Sequence, residues 1–108
     1  MPRKRLVSYK LSGPLDQPTL DLLREHLKLK PAGRLSDGWD ELFGSRVDDM
    51  QSGSIEMRLS RDDGRGGWDT DIYIDDEPRH AAVEAVEAEI PQAAAAAGIT
   101  VQSVFRNR

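Results

Sequence analysis

The sequence predicts an α+β domain in which two helices lie on one face of a four-stranded antiparallel sheet. Three observations carry this. Four short stretches alternate apolar and polar residues with the period of a half-buried strand, and two longer ones repeat apolar residues at helical spacing. Between them, glycine, proline and aspartate fall where turns and helix caps need them. The chain of 108 residues reads as one domain, 1–108, with one modest core.

The elements follow in order. Val7, Tyr9 and Leu11 share one face of a strand near residues 5–11, which Gly13-Pro14 stops. Asp16 can cap a helix near 17–30, with Pro18 in its first turn, Leu20, Leu23 and Leu27 in its stripe, and Pro31 ending it. Residues 31–53 read as a long insertion interrupted by four glycines. Inside it, Asp37 could cap a short helical turn that tucks Trp39, Leu42 and Phe43 onto the core.

Strands near 54–60 and 68–75 then form a hairpin with a glycine-rich tip. Ile55, Met57 and Leu59 point inward from the first, and Trp68, Thr70, Ile72 and Ile74 from the second. Asp75 or Asp76 is expected to cap a helix near 77–97, with Val83, Val86 and Ile90 as its buried stripe, a kink or restart at Pro91, and Gly98 as its left-handed cap. A last strand near 99–105 places Ile99, Val101 and Phe105 on one side. The order βαββαβ is that of ferredoxin-like two-layer sandwiches, with the first and third strands central.

Composition narrows function by exclusion. Without cysteine, disulfides, thiolate metal sites and cysteine nucleophiles are ruled out. No apolar run approaches the roughly 20 residues of a membrane helix, and the basic start at Arg3, Lys4 and Arg5 leads into no apolar signal core, so a cytoplasmic protein is expected. The net charge of −4 conceals a division: +5 over residues 1–36, −9 over 37–77 and zero over 78–108. An anionic middle third suits a cationic partner and repels phosphate.

No motif carries a reaction. His26 and His80 lack the spacing of a helical metal pair, and no metal or other cofactor is expected. The stretch Gly64-Arg65-Gly66-Gly67 lacks the Lys-Ser/Thr end of a P-loop and runs into a strand. An EF-hand counted from Asp62 would need its glutamate where Tyr73 stands. The open face of the third strand carries Asp69, Asp71 and Asp75 around a single Tyr73, where an RNA-binding sheet would need stacked aromatics, so nucleic acid is not an expected partner.

What remains is a protein-binding module, most concretely an intracellular inhibitor of the immunity or antitoxin kind. It would cover a basic protein such as a nuclease toxin with an acidic surface formed by Asp62, Asp63, Asp69, Asp71, Tyr73, Asp75 and Asp76, with Trp39 and Phe43 as aromatic anchors. Such a protein is expected to be a monomer or weak homodimer, and a binder more than an enzyme. The alternative is a small enzyme or ligand-binding subunit with a pocket between the sheet and the insertion, and with His26 or His80 as its acid-base residue.

Overall fold

A computed structural model describes residues 4–31, 40–51, 53–62, 67–76, 78 and 80–106. Among them the elements run β1 (Lys4–Ser12), α1 (Gln17–His26), β2 (Lys30–Pro31), β3 (Asp40–Met50), β4 (Gly53–Asp62), β5 (Gly67–Asp76), α2 (His80–Ala97) and β6 (Thr100–Arg106). The sheet is antiparallel throughout, in the order β2-β3-β4-β5-β1-β6. This corrects the expected four-stranded ferredoxin-like sandwich: the sheet has five long strands and a two-residue sixth.

The extra strands come from the supposed insertion. Leu42 and Phe43 lie in β3 instead of a helical turn, and β3 pairs with β4 from Asp40↔Asp62 to Met50↔Gly53. Apolar alternation does not announce β3, because beyond Phe43, the extra residue at a register shift, its helix-facing positions are Gly44, Arg46 and Asp48, opposite Leu59, Met57 and Ile55. Gly44 is glycine for a steric reason. A Cβ there would stand 3.0 Å from Leu29 Cβ and 3.2 Å from the Lys30 carbonyl oxygen.

Helix α1 begins as its sequence demands, with the Asp16 carboxylate accepting from the Thr19 amide at 3.0 Å. It ends at His26, short of the expected Lys30. Lys28 takes a left-handed φ of 57°, and the amides of Lys28 and Leu29 donate to the carbonyls of Glu25 and Arg24, a Schellman closure on a non-glycine residue. Early termination frees Lys30 and Pro31 to pair with Ser45 and Gly44 as β2.

Helix α2 ends in the same closure at Gly98, φ 77°, through bonds to Ala95 and Ala94. It runs unbroken through Pro91, where a kink or restart was expected. Its start also differs: β5 extends through Asp75 and Asp76, so neither caps α2.

Both helices cover one face of the sheet. Leu20, Leu23 and Leu27 meet Val83, Val86, Ile90 and Ala94 over Val7, Leu11, Ile55, Met57, Leu59 and Ile72. Each of the larger side chains gains about 1.5–3 kcal/mol by leaving water. Arg46 ties the β3 margin to this layer. It donates to the Leu27 carbonyl at 2.6 Å and grips Glu89 of α2 through two bonds of 3.0 and 2.9 Å.

Register shifts settle one further orientation. An irregularity between Ser8 and Tyr9 in the β1–β6 ladder sets Phe105 opposite Ser8. Phe105 therefore lies on the helix-free face, where Arg5 covers its ring, and not beside Val101 as alternation implied.

Candidate functional site

Three regions have the makings of a site: the helix-free face of the sheet, the end of the sheet where β3 finishes and β4 begins, and a cavity under α2.

The helix-free face is built from β4, β5, β1 and β6, whose outward residues meet in rows. Arg58 stands opposite Asp71, Asp71 opposite Ser8, and Ser8 opposite Phe105. Glu56 stands opposite Tyr73, and Tyr73 opposite Arg5. Long side chains fold over short ones: the Arg58 guanidinium lies 4.5 Å from the centre of the Tyr73 ring, and Arg5 lies 4.4 Å from that of Phe105. Beneath them Ser8, Glu56 and Asp71 are buried although, among the described residues, no helix covers this face.

Asp71 accepts a hydrogen bond from the Ser8 hydroxyl, and Glu56 pairs with Arg58 at 3.0 Å. Burial raises the Asp71 carboxyl above its ordinary value, while Ser8, Arg5 and Arg58 pull the other way. Burial, with the Asp71 charge behind it, likewise raises the Tyr73 hydroxyl.

This geometry divides the acidic surface expected from sequence. Asp71 is buried, so it is not a free carboxylate on the exposed face. Asp69 is half-buried opposite Lys10, and the two help line a shallow cavity of about 340 Å³ with Arg5 and Phe105. Tyr73 is half-buried under Arg58. Asp62 is the last residue of β4, and nothing is described of its side chain; Asp63 and Trp39 lie outside the described residues. Phe43 is half-buried on the helix face, edge-on to Trp68 at 5.8 Å and under Arg24 at 4.3 Å.

Asp75 and Asp76 do remain accessible. Asp75 stands opposite Ser54, which stands opposite Asp49, and Asp76 stands opposite Gly53. These three carboxylates therefore gather at one end of the sheet, and among the described residues none of them is in an ion pair. Neighbouring Asp48 is engaged by Arg46 at 3.1 Å.

The cavity, about 700 Å³, lies between α2 and strands β1, β5 and β6. Leu6, Ile74, Pro78, Val83 and Pro91 supply its apolar wall. A polar cluster closes one side: the Tyr9 hydroxyl donates to Glu87, and Arg106 donates to both oxygens of the same carboxylate. Burial first, and Glu87 second, raise the Tyr9 hydroxyl above its usual value. At the rim His80 and Glu84 pair at 2.8 Å, both mostly exposed. His26 closes α1 as an exposed residue and does not line the cavity. This cavity is formed by β1, β5, β6 and α2 and includes no residue of β3, whereas residues 32–39 of the expected insertion lie outside the described residues.

Sequence reasoning passed over Glu87, Arg106 and Glu89. One signal was present: a tyrosine in the buried stripe of β1 needs a hydrogen-bond partner for its hydroxyl, and Glu87 supplies it. Among the described residues no group of three or more acidic or histidine side chains could hold a metal ion, and no helix is long and apolar enough to cross a membrane. No protein-family model, curated protein or solved structure matches the chain.

Proposed function

We propose that the protein is a binding module for a basic protein partner, in the manner of a cytoplasmic immunity or antitoxin-type inhibitor, and that its contact surface is the acidic end of the sheet. The observation that carries this reading is the gathering of Asp49 of β3 and of Asp75 and Asp76 of β5 on the two sides of Ser54 and Gly53 of β4, in no ion pair among the described residues. Carboxylates so placed raise the rate at which a cationic surface is captured and reject anionic competitors. The strand centre contributes less than the sequence suggested, because Arg5, Lys10 and Arg58 stand among its acids.

The test is affinity capture from the native host with the parent protein and with an Asp49→Lys, Asp75→Lys variant. A basic protein retained by the parent, lost with the variant and released by salt supports the reading. Retention indifferent to both changes refutes it. A second reading, a ligand-binding subunit, is favoured by a separate observation, the apolar cavity with its Tyr9, Glu87 and Arg106 wall.

A further inference from the structure

We propose that the cavity under α2 binds a small amphipathic amine, an alkyl or arylalkyl ammonium whose apolar body lies along Leu6, Ile74 and Val83 and whose charged head meets Glu84 at the rim. The proposal rests on the ligand-binding reading and names the ligand class for it.

Size and wall chemistry set the body. A cavity of about 700 Å³ is within the usual range for small-molecule sites, about 300–1,000 Å³. Most of its lining side chains are apolar and come from two rigid elements, the sheet and α2, which hold the shape without a ligand.

Charge sets the head group. Among the described residues two carboxylates and one guanidinium line the cavity, with His80 beside them. Glu87 is already engaged by Tyr9 and Arg106, which occupy both of its carboxylate oxygens. Among the described residues Glu84 is paired with His80 alone, in a solvent-exposed pair that a ligand ammonium can replace without stranding a buried group. Asp75 and Asp76 follow directly on Ile74 of the cavity wall and add to the negative field at that end. An anionic head at the rim would face Glu84 as a like charge, whereas a cation meets an exposed carboxylate that can turn toward it.

The test is a titration of the full chain with 4-phenylbutylamine, 4-phenylbutanol and 4-phenylbutyrate, followed by two-dimensional amide NMR. The amine should shift the amides of Leu6, Tyr9, Ile74 and Val83 saturably. Its dissociation constant should be of roughly millimolar order, as for a ligand of so few heavy atoms. The butyrate should bind at least about tenfold more weakly, since the head group changes sign. Glu84→Gln should weaken the amine severalfold and leave the alcohol unchanged. Ala88→Phe and, independently, Ala88→Leu should intrude on the cavity from α2 and weaken binding of the amine and the alcohol alike, while amide dispersion is retained. If the alcohol binds as well as the amine and Glu84→Gln has no effect, the amine assignment is overturned and the ligand-binding reading survives. If no probe gives saturable shifts at these residues, both fall.

Discussion

Replacing Arg46 by alanine removes a side chain that joins β3 to the end of α1 and to the middle of α2. Its guanidinium satisfies the Leu27 carbonyl at the close of α1, grips Glu89 of α2 with both terminal nitrogens, and pairs with Asp48 through Nε at 3.1 Å. Glu89 holds the guanidinium pKa above its ordinary value. Deleting one partner of a fully buried ion pair costs about 3–5 kcal/mol, whereas an exposed pair is worth about 0.2–1 kcal/mol.

The Arg46 side chain is 13% exposed and that of Glu89 34%, so the abandoned carboxylate can rehydrate where the guanidinium could not. About 2 kcal/mol is therefore expected, between the two limits. In a domain of this size that loss lowers Tm by about 10 °C. Urea unfolding of the parent, Arg46→Ala, Glu89→Ala and the double variant isolates the pair, whose coupling should be about 1–1.5 kcal/mol and should persist in about 1 M salt. A coupling below about 0.3 kcal/mol, or one erased by salt, would show the contact to be an ordinary surface pair and the reasoning wrong.

Four other outcomes follow from the packing. Gly44→Ala should destabilise by about 1–3 kcal/mol in the same urea assay, because the new methyl meets the Leu29 side chain and the Lys30 carbonyl. Ile72→Asp should abolish the dispersed amide spectrum, since Ile72 has no exposure, whereas Val101→Asp should fold with a loss of about 1–2 kcal/mol because Val101 is only partly buried. The pair Asp69→Lys, Asp71→Lys should unfold or severely destabilise the protein, since Asp71 is buried against Ser8; an unchanged Tm would contradict that burial. For Asp71→Asn the sign comes from linkage. A carboxyl raised by burial binds its proton more tightly when folded, so the parent loses stability as pH rises from the ordinary carboxylate range through the raised value. The advantage of Asp71→Asn over the parent should grow across that window and level off above it, and a difference independent of pH would refute the assignment.

Strands with an apolar face, β1, β4 and β5, were legible in sequence, as were both helices and the Asp16 and Gly98 caps. The parts that were not legible share a cause: periodicity reports which face a residue is on, and not how much water that face sees. Asp71 alternates outward as expected, yet Arg58, Arg5 and Tyr73 roof the place where it lands. β3 hid because its helix-facing positions are filled from elsewhere, Gly44 by Leu29 and Arg24, and Arg46 by its own reach to Glu89. Phe105 was assigned the wrong side because a register shift opposite β1 leaves no mark in its own sequence. Of the candidate site, Asp75 and Asp76 were named from sequence, but Asp49 became their neighbour only through the β3–β4 pairing.

The position of β1 bears on how the protein is made. Val7 pairs with Ile72 on one side and with Arg106 on the other, so the earliest of the described strands is held by one late strand and by the last. A growing chain cannot complete these pairings until β5 and then β6 have been synthesised. Until then Val7 and Leu11 have no settled place, and the strand carries open edges that favour misassociation. Pairings this distant in sequence are slow to find, on the order of milliseconds to seconds. Folding should therefore wait on the final strand and then proceed as a single event, and a chain arrested before Thr100 should remain a substrate for chaperones and proteases.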